Sequence, residues 1–358
     1  MGDDFVLSNK DRVTSVQAIS GTGALRLAAE FVSKFMPGKP CYISNPSWGT
    51  FHLTLQASLE RTNCERRFGC LLSPFIAVPM AFFVLTSPLC CVSINAGNHK
   101  AIFAACRVEP REYRYWNPKS LGLDLDGMLE DLNHAPEGSV ILLHACAHNP
   151  TGVDPTMDEW KKIAEAMRAK KHFPLFDSAY QGFASGDLDK DAQAVRYFAA
   201  EGFELFVAQS FAKNFGLYGE RAGALHVLVN DAKTAQPIRS QLNLVIRASF
   251  SNPPKYGAMI VATVLKDPKL YEQWRESLRV MSGRIIDMRK QLYDALIARN
   301  TPGGWKHIIS QIGMFSYTGL TRTHTSLTLT LSHHFSNPHI TPSSHAIHTQ
   351  SPHHCSPS

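Results

Sequence analysis

Charged side chains are absent from one long stretch of this 358-residue chain, because residues 68–99 contain no Asp, Glu, Lys or Arg. The chain also has no pair of cysteines at CxxC spacing, and five of its eight cysteines lie between Cys64 and Cys106. These absences argue against a disulfide scaffold and against zinc or redox motifs of that spacing. We therefore predict no metal site and favour a reducing compartment.

The uncharged stretch has three interpretations. Its length suffices to span a bilayer, but Pro74, Pro79 and Pro88 interrupt it. The second interpretation is an insertion that does not belong to the fold of the surrounding chain, and the third is a buried extension of that fold. We favour the insertion and do not expect a membrane partner.

Elsewhere the chain has the strand pattern of an α/β protein. Apolar runs typical of buried parallel strands occupy residues 41–44, 140–144, 173–176, 205–209 and 224–229. The net charge of +6 is dispersed along the chain, so a nucleic-acid partner is not expected.

Amphipathic helices are predicted between these strands, at 23–35 and 157–171, and a longer one at 272–300. Thr156 and Glu159 have the spacing of a capping box, which favours a helix start there. The alternation predicts a mostly parallel sheet with helices on both faces.

Lys213 lies in the most informative segment, residues 209–221, which also contains Ser210 and Arg221. A lysine amine can attack an aldehyde to form a Schiff base, and a nearby arginine can hold a phosphate. Pyridoxal phosphate requires both interactions, so the segment suggests this cofactor.

One acidic and one phenolic side chain, Asp177 and Tyr180, follow the strand predicted at 173–176. Asp177 would lie at the carboxyl edge of the sheet, where α/β proteins bind ligands. A carboxylate there can keep a pyridine nitrogen protonated, and Tyr180 could reach the ring oxygen. The simpler interpretation of Asp177 alone is a cap of the following turn.

Further candidates lie in loops. Ser20, Gly21 and Thr22 open a helix whose N–H groups could bind a phosphate. Asn149 precedes a proline, which favours an extended conformation or a cis bond that would direct it toward the sheet edge. Each has a simpler interpretation as a helix cap or a turn.

Two larger side chains could bind flat or charged groups. Trp48 could stack on a flat ring, although most tryptophans only pack. The planar guanidinium of Arg247 suits a carboxylate, although a surface ion pair is the simpler interpretation.

Together these motifs resemble the class I, fold-type I aminotransferases, and among them the eukaryotic aspartate aminotransferases. The matching blocks are residues 113–116, 144–152, 176–183, 209–221 and 311–316. The resemblance implies transamination of aspartate with 2-oxoglutarate to oxaloacetate and glutamate, pyridoxal 5'-phosphate as cofactor, and a homodimer.

The resemblance also implies residue roles. Lys213 would form the Schiff base, Asp177 would pair with the pyridine nitrogen, and Tyr180 and Asn149 would bind the ring oxygen. Trp48 would stack on the ring, and with Asn149 it would also contact the substrate. The phosphate would be bound by Ser20, Gly21, Thr22, Ser210 and Arg221. Arg247 would bind the distal carboxylate of the substrate in the partner subunit's site.

The resemblance divides the chain into four parts. Residues 1–53 and 111–320 match the large aminotransferase domain, 54–110 form a non-family insertion, and the small domain is largely missing. The last part, 321–358, contains eight of the sixteen histidines and no acidic residue, which predicts a disordered tail.

The divergence after Leu320 leaves no arginine in the context of the family's α-carboxylate ligand. We therefore expect weakened catalysis, and three hypotheses stay open: an aspartate aminotransferase, a non-catalytic protein that binds pyridoxal phosphate or a partner, and a membrane-tethered variant. The resemblance favours a cytoplasmic location and leaves a mitochondrial one open.

Overall fold

A seven-stranded sheet lies at the centre of the computed structural model, which describes residues 8–47, 97–315 and 317. The strands in chain order are β1 (Val13–Ile19), β2 (Cys41–Asn45), β3 (Pro110–Arg114), β4 (Trp116–Asn117), β5 (Gly122–Leu123), β6 (Val140–His144), β7 (Phe173–Ser178), β8 (Leu205–Ser210) and β9 (Ala222–Leu228). The sheet order is β1-β9-β8-β7-β6-β2-β3, and β4 pairs with β5 outside it. The described residues lie in one unit of the chain; the second unit, Thr318–Ser358, falls outside them.

Five neighbouring strands of the sheet, from β3 to β8, are parallel, as predicted. The prediction that residues 224–229 form a parallel strand is wrong, because β9 runs antiparallel to both β8 and β1. A parallel neighbour requires a crossover connection, usually a helix. The chain between Ser210 and Ala222 contains no helix, so it returns directly in the opposite direction.

Helices fill the connections between most strands. They are α1 (Ser20–Phe35), α2 (Asn98–Ala105), α3 (Leu125–His134), α4 (Met157–Ala169), α5 (Leu188–Asp191), α6 (Gln193–Ala200), α7 (Ala232–Ser249), α8 (Lys255–Lys266), α9 (Pro268–Ala298) and α10 (His307–Ser310), with a 3-10 turn at Lys10–Arg12. The predicted capping box of α4 is confirmed, since Thr156 and Glu159 bond to each other's backbone N–H. Helix α9 begins before the predicted residue 272, because the Asp267 side chain accepts two N–H groups of its first turn.

Both faces of the sheet carry helices, as predicted. On one face, α1, α2 and α7 pack their buried side chains, such as Leu27, Phe103 and Leu242, against the strands. On the other face α3, α4 and α6 do the same, with buried side chains that include Trp160 and Phe198. The two apolar layers cover both faces of the sheet, which leaves the strand ends at its carboxyl edge as the place for a site.

The predicted insertion 54–110 is too long at its carboxyl end. Residues 97–110 form α2 and the start of β3, and Ile102, Phe103 and Val108 are buried in the same core as α1. This part of the chain therefore belongs to the fold. Residues 54–96 lie outside the described residues, as does the predicted tail 321–358.

Within the part of the chain that the structure describes, no helix combines the length and the apolar character that crossing a membrane requires. Most of the uncharged stretch 68–99 lies outside that part.

Candidate active site

A cavity of about 250 Å³ opens at the carboxyl ends of β6, β7 and β8, beside the first turn of α1. Its lining residues are Ser20, Gly21, Thr22, Leu25, His144, Asn149, Asp177, Ala179, Tyr180, Ser210, Ala212, Lys213, Tyr218 and Arg221. Nine of the residues singled out in the sequence are among them. Trp48, the tenth residue predicted to bind the cofactor, lies outside the described residues.

Lys213 follows the end of β8 and projects its amine toward two aromatic rings. Its Nζ lies 4.8 Å from the centroid of the Tyr180 ring and 5.9 Å from that of Tyr218. Burial lowers the pKa of the Lys213 amine below its usual value, and Arg221 adds to this effect while Asp177 opposes it. A lower pKa increases the fraction of neutral amine, which is the nucleophilic form.

Asp177 is a buried carboxylate in the last part of β7. Its Oδ2 lies 3.0 Å from Nε2 of His99, whose Nδ1 lies 2.7 Å from Oγ of Ser47. Burial alone would raise the pKa of Asp177, but the His99 hydrogen bond and the electrostatic influence of nearby basic side chains, Lys213 among them, outweigh burial and hold that pKa below its usual value. The cavity therefore contains a carboxylate that stays ionised at neutral pH.

Asn149 and Tyr180 meet on the same side of the cavity. The Asn149 Nδ2 donates a hydrogen bond to the Tyr180 hydroxyl at 3.2 Å, and both side chains are buried. The bond between Asn149 and Pro150 is cis. Burial raises the pKa of Tyr180, so its hydroxyl keeps its proton and can donate it in a hydrogen bond.

The part of the cavity lining formed by the first turn of α1, Ser210 and Arg221 suits an anion. Helix α1 begins at Ser20 without a side-chain cap, and the Ser20 N–H donates to the Arg221 carbonyl at 3.0 Å. The N–H groups that follow Ser20 in the first turn have no partner within the helix. The Ser20 Oγ lies 3.1 Å from the Ser210 Oγ. Arg221 also lines this cavity, and its guanidinium donates to the Tyr218 carbonyl at 3.1 Å. A helix N-terminus with hydroxyls and a guanidinium favours a phosphate.

Two glycines allow the backbones to approach at this part of the cavity. A Cβ added to Gly223 would lie 2.5 Å from the backbone of Ser20, and one added to Gly21 would lie 3.0 Å from the Cβ of Ser210. Helix α1 can therefore approach β9, at Gly223, and β8, at Gly21, only because these positions lack side chains.

Arg247 does not belong to this cavity. It is an exposed residue of α7, and its guanidinium donates to the hydroxyl of Ser251 one turn later. Its predicted role in a partner subunit's site stays a prediction.

Sequence reasoning missed His99 and His144. His99 was assigned to the insertion and carried no signal of its own. His144 ends β6 and pairs in register with Asp177 of β7, so the rule that neighbouring parallel strands end together could have found it. Burial lowers the pKa of His144 to about 3, and its buried Nε2 has no hydrogen-bond partner among the described residues.

Comparison with known proteins places this arrangement in a family. The family model described as aminotransferase class I and II matches residues 5–59 and 86–342. The chain belongs to this family. The match resumes at residue 86, which agrees with the packing of residues 97–110 in the core.

Relatives of this aminotransferase include the cytoplasmic aspartate aminotransferase of Oryza sativa subsp. japonica, 47% identical over 89% of this chain and 67% of the relative. Among solved structures, the aspartate aminotransferase of Trypanosoma cruzi superposes with a TM-score of 0.75 at 40% identity, covering 90% of this chain and 70% of the other. Relatives named as cytoplasmic and as mitochondrial both occur. The predicted fold type is confirmed by these neighbours.

Members of this aminotransferase family use pyridoxal phosphate, which confirms the cofactor prediction. An aromatic-amino-acid aminotransferase of Burkholderia pseudomallei, 36% identical with a TM-score of 0.73 over 89% of this chain and 67% of its own, is covalently bound to it. The cavity fits the cofactor, because the Lys213 amine, the Asp177 carboxylate and the uncapped start of α1 line it together. The His144 Nε2, which has no hydrogen-bond partner in the described part of the chain, adds a further polar atom to the cavity wall.

Proposed function

We propose that this chain is an aspartate aminotransferase that exchanges the amino group of aspartate with 2-oxoglutarate, giving oxaloacetate and glutamate. The observation that carries the proposal is the meeting of Lys213, the ionised Asp177 and the uncapped N-terminus of α1 in one cavity. The names of the relatives support aspartate as the amino donor.

Pyridoxal phosphate, when bound, supplies an electron sink for the electrons left on the substrate's α-carbon when its proton is removed. Lys213 would hold the cofactor through its Nζ and, after exchange with the substrate amine, accept and return the α-proton at that atom. Its lowered pKa suits both tasks, because a neutral amine is needed to attack and to accept a proton.

The remaining residues would orient the cofactor. Asp177 would keep a proton on the pyridine nitrogen, since its carboxylate stays ionised beside His99. Asn149 and Tyr180 would donate to the ring oxygen. The first turn of α1, with Ser210 and Arg221, would bind the phosphate and so prevent the ring from turning.

Absorbance of the purified protein tests the cofactor role. Addition of pyridoxal phosphate is expected to give a visible band from cofactor attached to the protein, and Lys213→Ala should abolish that band. Lys162→Ala, at an exposed position of α4, is the matched control and should keep it. A parent protein without a visible band would contradict the proposal.

Reaction with aspartate separates the enzyme from the non-catalytic alternative. With aspartate and 2-oxoglutarate the parent should form oxaloacetate, measured by its reduction in a coupled assay. Cofactor binding with no oxaloacetate would favour a non-catalytic protein that binds pyridoxal phosphate.

We also propose a homodimer in which Arg247 of one subunit serves the site of the other. Large apolar side chains on α7, the helix that carries Arg247, and on α8 are exposed in the single chain, among them Leu244, Tyr256 and Met259. Mixing Arg247→Ala with Lys213→Ala subunits is expected to restore activity that neither variant has alone, since a mixed dimer would contain one intact site. Sedimentation of a monomer would contradict the shared site.

A cytoplasmic location is proposed with this function, as for the rice relative. Cell fractionation tests it, and recovery with mitochondria would contradict it.

A further inference from the structure

The loop that carries Asn149 contains an acidic side chain to which the proposed chemistry assigns no role. This residue, Asp154, lies between β6 and α4. Its Oδ2 accepts a hydrogen bond from the backbone N–H of Ala147 at 2.6 Å, and its Oδ1 accepts one from the N–H of His148 at 2.8 Å. The carboxylate thus binds the two amides that directly precede Asn149.

The backbone at this point needs support. Ala147 has a φ of 50°, in the left-handed region, which costs a residue with a Cβ about 1–2 kcal/mol. Hydrogen bonds in which the acceptor is ionised are about twice as strong as neutral ones. Two such bonds to one carboxylate are sufficient to offset the cost and hold Ala147 in this conformation.

Other contacts of the loop act at different atoms. The ring of His148 is held by hydrogen bonds of 2.8 Å to the hydroxyls of Ser44 and Thr151. Gly313 packs so close to Ala147 that a Cβ added to it would lie 2.4 Å from the Ala147 Cβ. These contacts fix a side chain and one face of the loop, and the Gly152 N–H holds the His148 carbonyl at 2.7 Å. Asp154 differs from all of them because it holds the N–H groups of Ala147 and His148.

The consequence reaches the cavity through Asn149. Rotation of the 147–148 peptides would turn Asn149, and its Nδ2 would lose the 3.2 Å contact with the Tyr180 hydroxyl. We propose that Asp154 is a positioning residue: by holding the N–H groups of Ala147 and His148, it fixes Asn149 against Tyr180 and so sets the contact of both with the ring oxygen of the cofactor. The last part of this statement rests on the function proposed above.

Asp154→Asn is the informative variant, because it keeps the size of the side chain but replaces one acceptor oxygen with an NH2 group that faces an N–H. Hydrogen exchange of the cofactor-free protein is the first measurement. Exchange in peptides covering residues 145–153 should become about tenfold faster, which corresponds to a loss of about 1.4 kcal/mol of local stability.

The pH titration of the visible band of the pyridoxal phosphate-loaded protein is the second measurement. Hydrogen bonds that stabilise the ionised ring oxygen lower the pH midpoint of such a band. In Asp154→Asn the midpoint should rise by about one pH unit, and adding Ala147→Gly should move it part of the way back, since glycine adopts a positive φ without steric cost.

Asp131→Asn is the matched control. The Asp131 carboxylate also accepts a backbone N–H, that of Arg114 at 2.7 Å, but at the outer strand β3 rather than beside the cavity. This variant should leave the exchange of residues 145–153 and the midpoint unchanged.

Each outcome decides a part of the proposal. Unchanged hydrogen exchange of residues 145–153 in Asp154→Asn would contradict the claim that Asp154 stabilises the loop. Faster exchange with an unchanged midpoint would overturn its effect on Asn149 and the cofactor. A parent protein without a visible band would refute the proposed function, while the exchange data would still accept or reject the hold on the loop.

Discussion

His99 and Asp177 form a buried hydrogen bond in which Nε2 and Oδ2 lie 3.0 Å apart. The His99 ring comes from α2 and the carboxylate from β7, so two distant parts of the chain meet beneath the cavity. Because Asp177 is ionised, the His99 Nε2–H is the donor, and the Ser47 hydroxyl orients the ring at Nδ1. The charge that Asp177 offers to a cofactor therefore depends on a residue outside the cavity lining.

His99→Leu should weaken cofactor binding. Without its donor, the buried Asp177 carboxylate would be harder to ionise and its pKa would rise. A hydrogen bond to a charged group contributes about 1.5–3 kcal/mol, so the dissociation constant of pyridoxal phosphate should increase by about tenfold or more. Fluorescence titration measures it. His134→Leu, on the exposed surface of α3, should have no effect, and an unchanged constant in His99→Leu would contradict this role.

Gly223→Ala should disrupt the junction between β9 and α1. The new Cβ would lie 2.5 Å from the backbone of Ser20, so the start of α1 would have to move. Overpacking of this kind costs about 1–3 kcal/mol, and phosphate affinity should fall with it. Chemical denaturation and cofactor titration measure both. Gly283→Ala is the control, because a Cβ there meets nothing within 4 Å and should stabilise α9 by up to about 1 kcal/mol.

Arg289→Met should destabilise the segment after α9. The buried guanidinium donates to the carbonyls of Ile308, Gly313 and Phe315, which would lose their donor. Each buried polar group left unsatisfied costs about 1–3 kcal/mol, so the free energy of unfolding should fall by at least that amount. Arg279→Met removes an exposed ion pair with Glu276 and should cost less than about 1 kcal/mol. Equal effects of the two substitutions would show that Arg289 is not a structural clamp.

Acid should destabilise the fold between pH 6.5 and about 4. Burial lowers the pKa of His144 to about 3 and that of His226 to about 4, and it holds the pKa of His148 well below its usual value. In this range the unfolded chain binds more protons at these rings, so stability falls as the pH falls, by about 1.4 kcal/mol per pH unit for each proton. Burial raises the pKa of Asp154 to about 6, which acts in the opposite direction.

Denaturation at several pH values measures this dependence. His226→Gln should reduce the slope of stability against pH by the contribution of one proton, about 1.4 kcal/mol per pH unit, because glutamine does not titrate. A stability that is flat or falls with rising pH between 4 and 6.5 would contradict the assignment of these histidines.

The sheet could be predicted in part because its central strands are continuous apolar runs. Residues 140–144 were predicted with the observed bounds, and those of β7 and β8 differ only at their carboxyl ends. The direction of β9 was not predictable from its apolar pattern, since a strand buried on both faces has the same composition in either direction. The connection without a helix between β8 and β9 decides it.

The candidate site was predictable where chemistry and chain position coincide. Lys213, Asp177 and Asn149 each follow or end a predicted strand, so the common edge of a parallel sheet brings them together. His99 could not be found this way, because its segment lacks charge and was assigned to the insertion. Its role arises from the packing of α2 in the core, a tertiary contact.

The α/β alternation and the set of groups suited to pyridoxal phosphate can be read from the sequence, because both depend on residue types and on their spacing along the chain. Which groups are ionised and which peptides are held follows only from the folded chain. The burial of Lys213, the hydrogen bond between His99 and Asp177 and the hydrogen bond from Ala147 to Asp154 all require residues that only folding brings together. Electrostatic free energies depend on distance and on exclusion of water, and neither quantity can be obtained from the order of residues.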